Sequence, residues 1–137
     1  MSDKKILVVD DEAAIRSLLF SAVRAPGVSV FQAEDGRNAL SLAKQHGPFE
    51  LVITDVLMPE MDGIELARKL LEAGYADRFL FVSGYCDLDE SPERIRDLRI
   101  ASFLAKPFSI PALLHSVREL LSREPHAVAG RKRAGSA

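Results

Sequence analysis

Near its N-terminus the chain carries the sequence KILVVDD over residues 5–11, an apolar run that ends in two acids. Three later runs have the same design: LVITD at 51–55, FLFVS at 79–83 and SFLAK at 102–106. Amphipathic stretches separate these runs. Strands that alternate with helices are typical of a parallel sheet covered on both faces, so the pattern predicts an α/β protein.

The complete pattern predicts five strand–helix units, (βα)5, in a doubly wound parallel sheet. A further strand is expected at 28–33, and helices are expected after residues 11, 36, 63, 91 and 109, where apolar side chains follow helical spacing. Asp11 is the expected N-cap of the first helix, with Leu18 and Leu19 on its apolar face. Ser109 is the expected N-cap of the last helix, and Pro111 falls in its first turn, where proline is tolerated.

Three carboxylates, a hydroxyl and an ammonium stand where the predicted strands end: Asp10, Asp11, Asp55, Ser83 and Lys106. Open α/β sheets bind ligands at this carboxyl edge. Two like charges about 4 Å apart repel by roughly 4 kcal/mol at an effective dielectric constant of about 20. A hard divalent cation, which prefers oxygen ligands, would relieve the repulsion, so the pattern indicates a cation site.

The composition excludes several other classes of protein. The 137 residues suffice for one domain, and an apolar content of 47% excludes a disordered chain. No apolar run approaches the roughly 20 residues of a membrane span, and no secretory signal is evident. Cys86 is the single cysteine, so no internal disulfide forms. We therefore expect a cytoplasmic protein.

Charge divides the chain into two parts. The net charge is -2, and residues 123–137 carry +3, which leaves -5 for residues 1–122. An acidic body argues against nucleic-acid binding by the folded part. We predict one domain over 1–122 and a flexible basic tail over 123–137, because the tail contains Pro, Gly, Ser and charged residues without periodicity.

In four motifs the sequence resembles the receiver domain of bacterial two-component response regulators. The motifs are VVDDE at 8–12, TDVLMP at 54–59 with DG at 62–63, VSG at 82–84, and KPF at 106–108. Each motif alone is weak, but all four occur in order at the ends of predicted strands. The resemblance covers about residues 4–122. It implies the flavodoxin-like strand order 2-1-3-4-5 and a stand-alone receiver of the chemotaxis type.

The resemblance implies a phosphorylation switch rather than a conventional enzyme. Asp55 would accept a phosphoryl group from a histidine kinase or a histidine phosphotransfer protein, and the chain would assist its own phosphorylation and dephosphorylation. Ser83 and Lys106 would contact phosphoryl oxygens, and the peptide bond between Lys106 and Pro107 would be cis. Ser83 would then move toward the phosphoryl group while the switch aromatic, Phe103, turns inward.

The resemblance also implies Mg2+ as the cofactor. Its ligands would be the carboxylates of Asp10, Asp11 and Asp55 together with the backbone carbonyl of Leu57. The chemistry of these groups agrees, because a carboxylate is a competent nucleophile for phosphoryl groups. Phosphoryl transfer requires mainly positioning and neutralisation of the equatorial oxygens.

The output is expected from a partner in trans, either by diffusible signalling or by onward transfer in a phosphorelay. The chain would be a monomer or a phosphorylation-dependent dimer. The expected partner surface comprises the helix after residue 91, the fifth strand and the last helix, with Arg94, Arg96, Arg99, Phe103 and Arg118.

Two other functions are compatible with parts of the sequence. An aspartate-nucleophile phosphatase usually carries a second acid two residues after the nucleophile, where this chain has Leu57. Nucleic acid could instead bind the basic cluster of Arg131, Lys132 and Arg133 through salt-sensitive contacts. The absence of interleaved aromatic residues makes a solubilising tail the better interpretation of that cluster.

Overall fold

The computed structural model describes residues 4–84, 98 and 100–123, which contain five strands and four helices. The strands are β1 (Lys4–Val9), β2 (Val28–Ala33), β3 (Leu51–Asp55), β4 (Arg78–Ser83) and β5 (Ile100–Ala105). The helices are α1 (Ala13–Val23), α2 (Gly36–His46), α3 (Gly63–Glu72) and α4 (Ile110–Ser122).

The five strands form one parallel sheet in the order β2-β1-β3-β4-β5, which confirms the predicted fold class and strand order. In the register of the central strands, Val9 pairs with Thr54 and Asp55 pairs with Val82. Ser83 pairs with Ala105 on the outer strand. The carboxyl ends of β1, β3, β4 and β5 are thus level with one another, which brings the residues after them to one edge.

The sheet separates two apolar cores. Alternate residues of β1 face opposite sides, with Leu7 and Val9 in one core and Ile6 and Val8 in the other. Helices α2 and α3 cover the first side, and α1 and α4 cover the second. The central strands are buried on both faces, which explains why their sequences are continuously apolar rather than alternating.

The ends of the last helix agree with the sequence prediction. Ser109 caps α4 by accepting a hydrogen bond from the backbone N–H of Ala112, and Pro111 lies in the first turn. The Lys106–Pro107 peptide bond is cis, as the resemblance implied. The Gly47–Pro48 bond is also cis, and no motif in the sequence predicts it.

The prediction for the start of α1 was wrong in two respects. The N-cap is Glu12 rather than Asp11, and the Glu12 side chain makes no capping hydrogen bond. Leu18 was expected on the buried face but is 43% exposed, while Leu19 is fully buried. Leu19 lies near the centre of the apolar stripe of α1, whereas Leu18 lies at its boundary, where helical spacing does not decide between burial and exposure.

Several predictions concern residues outside the described ranges. They include the helix expected after residue 91, three of the partner-surface arginines (Arg94, Arg96 and Arg99), and the basic tail beyond residue 123. Among the helices of the described ranges, none combines the length and apolar character that a membrane crossing requires.

Candidate functional site

The candidate site lies where the connections from two neighbouring strands diverge. Strands β1 and β3 are adjacent, but α1, which follows β1, packs on one face of the sheet, and α3, which follows β3, packs on the other. Such a topological switch point opens a crevice beyond the carboxyl ends of the strands. Asp10 follows β1 directly and Asp55 is the last residue of β3, so both stand at this crevice.

Asp10 is fully buried and is held by hydrogen bonds at each of its polar groups. Its backbone N–H donates to the carbonyl oxygen of Ala33 at 3.2 Å, and its Oδ1 accepts from the backbone N–H of Glu12 at 2.9 Å. Its carbonyl oxygen accepts from Nη1 of Arg16 at 2.7 Å. Asp10 is therefore fixed in position, whereas the neighbouring Asp11 is exposed.

Asp55 is 7% exposed, and its backbone is packed tightly against the start of α3. The hydroxyl of Thr54 donates to the carbonyl oxygen of Asp55 at 2.9 Å. A Cβ atom added to Gly63 would lie 2.0 Å from the same carbonyl oxygen, so only glycine fits there. The Gly63 N–H donates to the carbonyl oxygen of Val56 at 2.8 Å, which ties the loop after β3 to the helix.

Lys106 joins the two buried carboxylates. Its Nζ lies 3.3 Å from Oδ2 of Asp55 and 3.4 Å from Oδ2 of Asp10. A third carboxylate, that of Glu12, lies 3.8 Å away and is largely exposed. The backbone N–H of Lys106 donates to the carbonyl oxygen of Ser83 at 2.9 Å, which fixes the start of the loop after β5 against the end of β4.

The pKa values of these groups show how far Lys106 neutralises the site. Burial raises the pKa of Asp55, and the negative charge of Asp10 raises it further, while Lys106 acts in the opposite direction without cancelling the increase. Burial likewise raises the pKa of Asp10, although the Glu12 N–H and Lys106 oppose the effect. Burial lowers the pKa of Lys106, but attraction by Asp10 and Asp55 outweighs it, so the net pKa is raised. Lys106 thus offsets only part of the cost of burying the carboxylates of Asp10 and Asp55.

The three aspartates form a group that suits a metal ion. Asp10, Asp11 and Asp55 each offer a carboxylate oxygen, and these oxygens lie within 4.8 Å of one another. An all-oxygen donor set is the one that Mg2+ prefers, and Mg2+ commonly uses a few carboxylates together with water. Incomplete neutralisation of the two buried carboxylates provides an independent reason for a cation to bind. The donor chemistry and the electrostatics therefore both fit a divalent cation.

The structure places the other predicted site residues as follows. Ser83 is buried at the end of β4. Leu57, whose carbonyl was the fourth predicted ligand, has a side chain that is 61% exposed, and its backbone N–H bonds to the Asp55 carboxylate. Phe103 is half-buried and stacks on Phe81, with ring centroids 5.2 Å apart. Arg118 is exposed on α4.

Four residues that shape the site have no individual role in the sequence prediction: Glu12, Arg16, Thr54 and Gly63. Gly63 was quoted as part of a motif, but the reason for glycine is its contact with the Asp55 backbone. Arg16 falls at a helical position that a pattern search treats as solvent-facing. Only the folded turn after β1 brings its guanidinium to the Asp10 carbonyl.

Comparison with known proteins agrees with this geometry. Residues 6–118 match the family model described as the response regulator receiver domain. The sporulation initiation phosphotransferase F of Bacillus subtilis (strain 168) is 34% identical over 121 residues, covering 88% of this chain and 96% of that protein.

A second relative is much longer than this chain. The sensor kinase CckA of Brucella abortus (strain 2308) is 36% identical over 120 residues, which make up 87% of this chain but only 13% of the kinase. Among solved structures, the chemotaxis protein CheY4 of Vibrio cholerae superposes with a TM-score of 0.73 at 29% identity, covering 87% of this chain and 99% of that one.

Proposed function

This chain belongs to the response regulator receiver domain family, and on that premise we propose that Asp55 accepts a phosphoryl group from a phosphohistidine. The donor would be a histidine kinase or a histidine phosphotransfer protein of a two-component system. The single observation that carries the proposal is the position of Asp55: its carboxylate lies within 4.8 Å of two other carboxylates and 3.3 Å from the Lys106 ammonium.

The proposed transfer is a displacement at phosphorus. A carboxylate oxygen of Asp55 forms the new O–P bond, the N–P bond of the phosphohistidine breaks, and the imidazole leaves with the electron pair and takes up a proton. The product is an acyl phosphate on Asp55. Lys106 supports the reaction because its ammonium already contacts the acceptor and can pair with an equatorial phosphoryl oxygen.

The same site suits Mg2+ as the cofactor. Asp10, Asp11 and Asp55 would hold the ion, with the backbone carbonyl of Leu57 as a further ligand. When bound, Mg2+ supplies the positive charge that offsets the negative charge developing on the phosphoryl oxygens. Ser83 would donate a hydrogen bond to one of these oxygens, which its place at the end of β4 supports.

The signal would pass to a partner protein through the surface of β5 and α4. Phe103 would act as the switch aromatic, and its half-buried position against Phe81 allows an inward movement to change the exposed surface. Arg118, exposed on α4, would contribute to the same surface, together with Arg94, Arg96 and Arg99. Similarity to a protein named as a phosphotransferase supports onward transfer in a relay as one form of this output.

The experiment that tests the proposal is phosphorylation by a small phosphodonor in the presence of Mg2+, followed by intact mass measurement. The natural chain is expected to gain one phosphoryl group, and Asp55→Asn is expected to gain none. Asp62→Asn is the matched control, because Asp62 lies in the same loop and caps α3, a role that asparagine also performs.

Three outcomes would count against the proposal. Phosphorylation of Asp55→Asn to the level of the natural chain would show that the acceptor is another residue. Phosphorylation that proceeds equally well in chelator would contradict the assignment of Mg2+. Steady turnover of a phosphomonoester would instead favour the aspartate-nucleophile phosphatase.

A further inference from the structure

Arg16 occupies a position where a positive charge is electrostatically unfavourable. It is the fourth residue of α1, close to the N-terminus of the helix, where the macrodipole favours negative rather than positive side chains. Its guanidinium also contacts the main chain of Asp10, a residue proposed to bind Mg2+, and a positive charge near that site opposes metal binding. A residue that conflicts with its local electrostatics in this way calls for a compensating role.

The compensating interaction is a hydrogen bond from the Arg16 guanidinium to the main chain. Nη1 donates to the carbonyl oxygen of Asp10 at 2.7 Å, and the Arg16 side chain is half-buried as it reaches back across the turn. A donor with a full charge makes this bond stronger than one between neutral groups. It joins α1 to the residue at which β1 ends.

The bond completes the fixation of Asp10. The other polar groups of Asp10 are held by Ala33, Glu12 and Lys106, at 3.2, 2.9 and 3.4 Å respectively. These three contacts hold the amide and the carboxylate, and none of them is made to the carbonyl oxygen that leads into Asp11. Arg16 donates to that oxygen, so it acts together with the Glu12 contact in fixing the peptide unit between Asp10 and Asp11.

We propose that Arg16 is a positioning residue that holds the turn after β1 so that Asp10 and Asp11 present their carboxylates at the spacing required for Mg2+. Arg16 contacts no reacting atom and acts through the Asp10 main chain. The inference rests on the proposed function, because it concerns the affinity of that site for Mg2+. Partners that orient metal ligands typically contribute 10- to 100-fold to metal affinity.

Positioning and simple electrostatics predict opposite results when the charge is removed. If Arg16 acted only through space, its replacement by a neutral residue would strengthen Mg2+ binding, because a repulsive cation would be lost. If it positions the aspartates, the same replacement weakens binding even though the repulsion is gone. The sign of the change therefore decides between the two.

The test is a titration of the full chain with Mg2+, in which the NMR signals of the backbone amides report binding. The urea midpoint of unfolding is measured separately in chelator. Arg16→Met keeps the apolar part of the side chain and removes the donor. We expect it to weaken Mg2+ binding by about tenfold, with little change in the midpoint. Arg24→Met is the matched control, because Arg24 is exposed at the other end of α1, over the Phe20 ring, and is expected to bind Mg2+ like the natural chain.

Equal or tighter Mg2+ binding by Arg16→Met would overturn the inference while leaving the proposed function intact. If the natural chain bound no Mg2+, both the cofactor assignment and the inference would fail. If Arg16→Met did not fold, Arg16→Gln would take its place. Weaker Mg2+ binding by that variant would support the inference, and equal or tighter binding would overturn it.

Discussion

Asp55 carries a negative charge that its surroundings only partly neutralise. Burial raises its pKa, and so does the charge of Asp10, whereas Lys106 lowers it by less. The pKa of Asp10 is raised for the same main reason. Both carboxylates are therefore less stable as anions in the folded chain than in the unfolded chain. The two carboxylates proposed to take part in phosphoryl transfer therefore also reduce the stability of the folded chain.

This imbalance predicts the pH dependence of stability in the absence of metal. A folded-state pKa above the unfolded value means that the folded chain binds more protons, so stability falls as the pH rises from the unfolded pKa of about 3.8 through the folded pKa. At neutral pH, both carboxylates are therefore ionised and lower the free energy of unfolding. Removing the charge of Asp55 should abolish the part of this loss that Asp55 causes.

We therefore predict that Asp55→Asn raises the free energy of unfolding by about 1 kcal/mol at pH 7 in chelator. The gain should shrink as the pH is lowered below the raised pKa of the Asp55 carboxyl, because the natural side chain then becomes protonated. Urea unfolding at several pH values measures both effects. A loss of stability at pH 7 would show instead that attraction to Lys106 exceeds the cost of burial.

The junctions between strands and helices decide how much of this molecule the sequence could predict. The strands were correctly predicted to within two residues at their ends, because continuous burial on both faces leaves an unmistakable apolar run. The start of α1 was less clear, since Asp10 and Asp11 both precede it and an aspartate at either position can cap a helix. In the structure, Asp10 accepts a hydrogen bond from the Glu12 N–H, Glu12 occupies the N-cap, and its side chain makes no capping hydrogen bond.

The candidate site likewise divides into residues on strand ends, which could be predicted, and residues in loops, which could not. The grouping of Asp10, Asp55 and Lys106 could be predicted, because residues at the carboxyl ends of adjacent parallel strands must meet at one edge. The contacts of Arg16 and Gly63 could not, because they depend on how two loops fold over that edge. A loop is specified by backbone geometry that leaves little periodic signal in the sequence.

The junction between β3 and α3 gives a prediction at this scale. Gly63→Ala would place a methyl group 2.0 Å from the carbonyl oxygen of Asp55, so the loop or the end of β3 must move. We expect a loss of about 3 kcal/mol in the free energy of unfolding and slower phosphorylation of Asp55 by a small phosphodonor. Urea unfolding and intact mass measure the two effects.

Gly36→Ala is the matched control, because Gly36 also begins a helix. Its added methyl would meet the Met61 side chain, with the sulfur 2.7 Å and Cβ 3.1 Å away, but this is a flexible side chain rather than backbone. The loss of stability should be smaller, and phosphorylation should change little. Equal effects of the two substitutions would contradict the special role assigned to the Asp55 contact.

At the scale of the whole molecule, the candidate site lies at the carboxyl ends of the strands, and a separate set of polar contacts lies at their amino ends. Near the amino ends of the strands, the backbone N–H of Lys5 donates to the Glu50 side chain at 2.8 Å. Arg78, at the start of β4, donates from Nη2 to the carbonyl oxygen of Arg123 at 2.5 Å, which ties the C-terminal end of α4 to the sheet. Arg123, the first residue of the predicted tail, thus contacts the folded unit through its carbonyl oxygen.

The Arg78 contact leads to a prediction about where the folded unit ends. A chain cut after Arg123 keeps a carbonyl oxygen for Arg78 and gains a terminal carboxylate there, so it should unfold at the same urea concentration as the full chain and accept a phosphoryl group equally well. A chain cut after Ser122 loses the acceptor and should be less stable by about 1 kcal/mol. Its phosphorylation should persist, because the site lies at the opposite edge of the sheet. Equal stability of the two shortened chains would show that the Arg78 contact contributes little. Failure of the 1–123 chain to fold or to be phosphorylated would show instead that residues 124–137 belong to the domain.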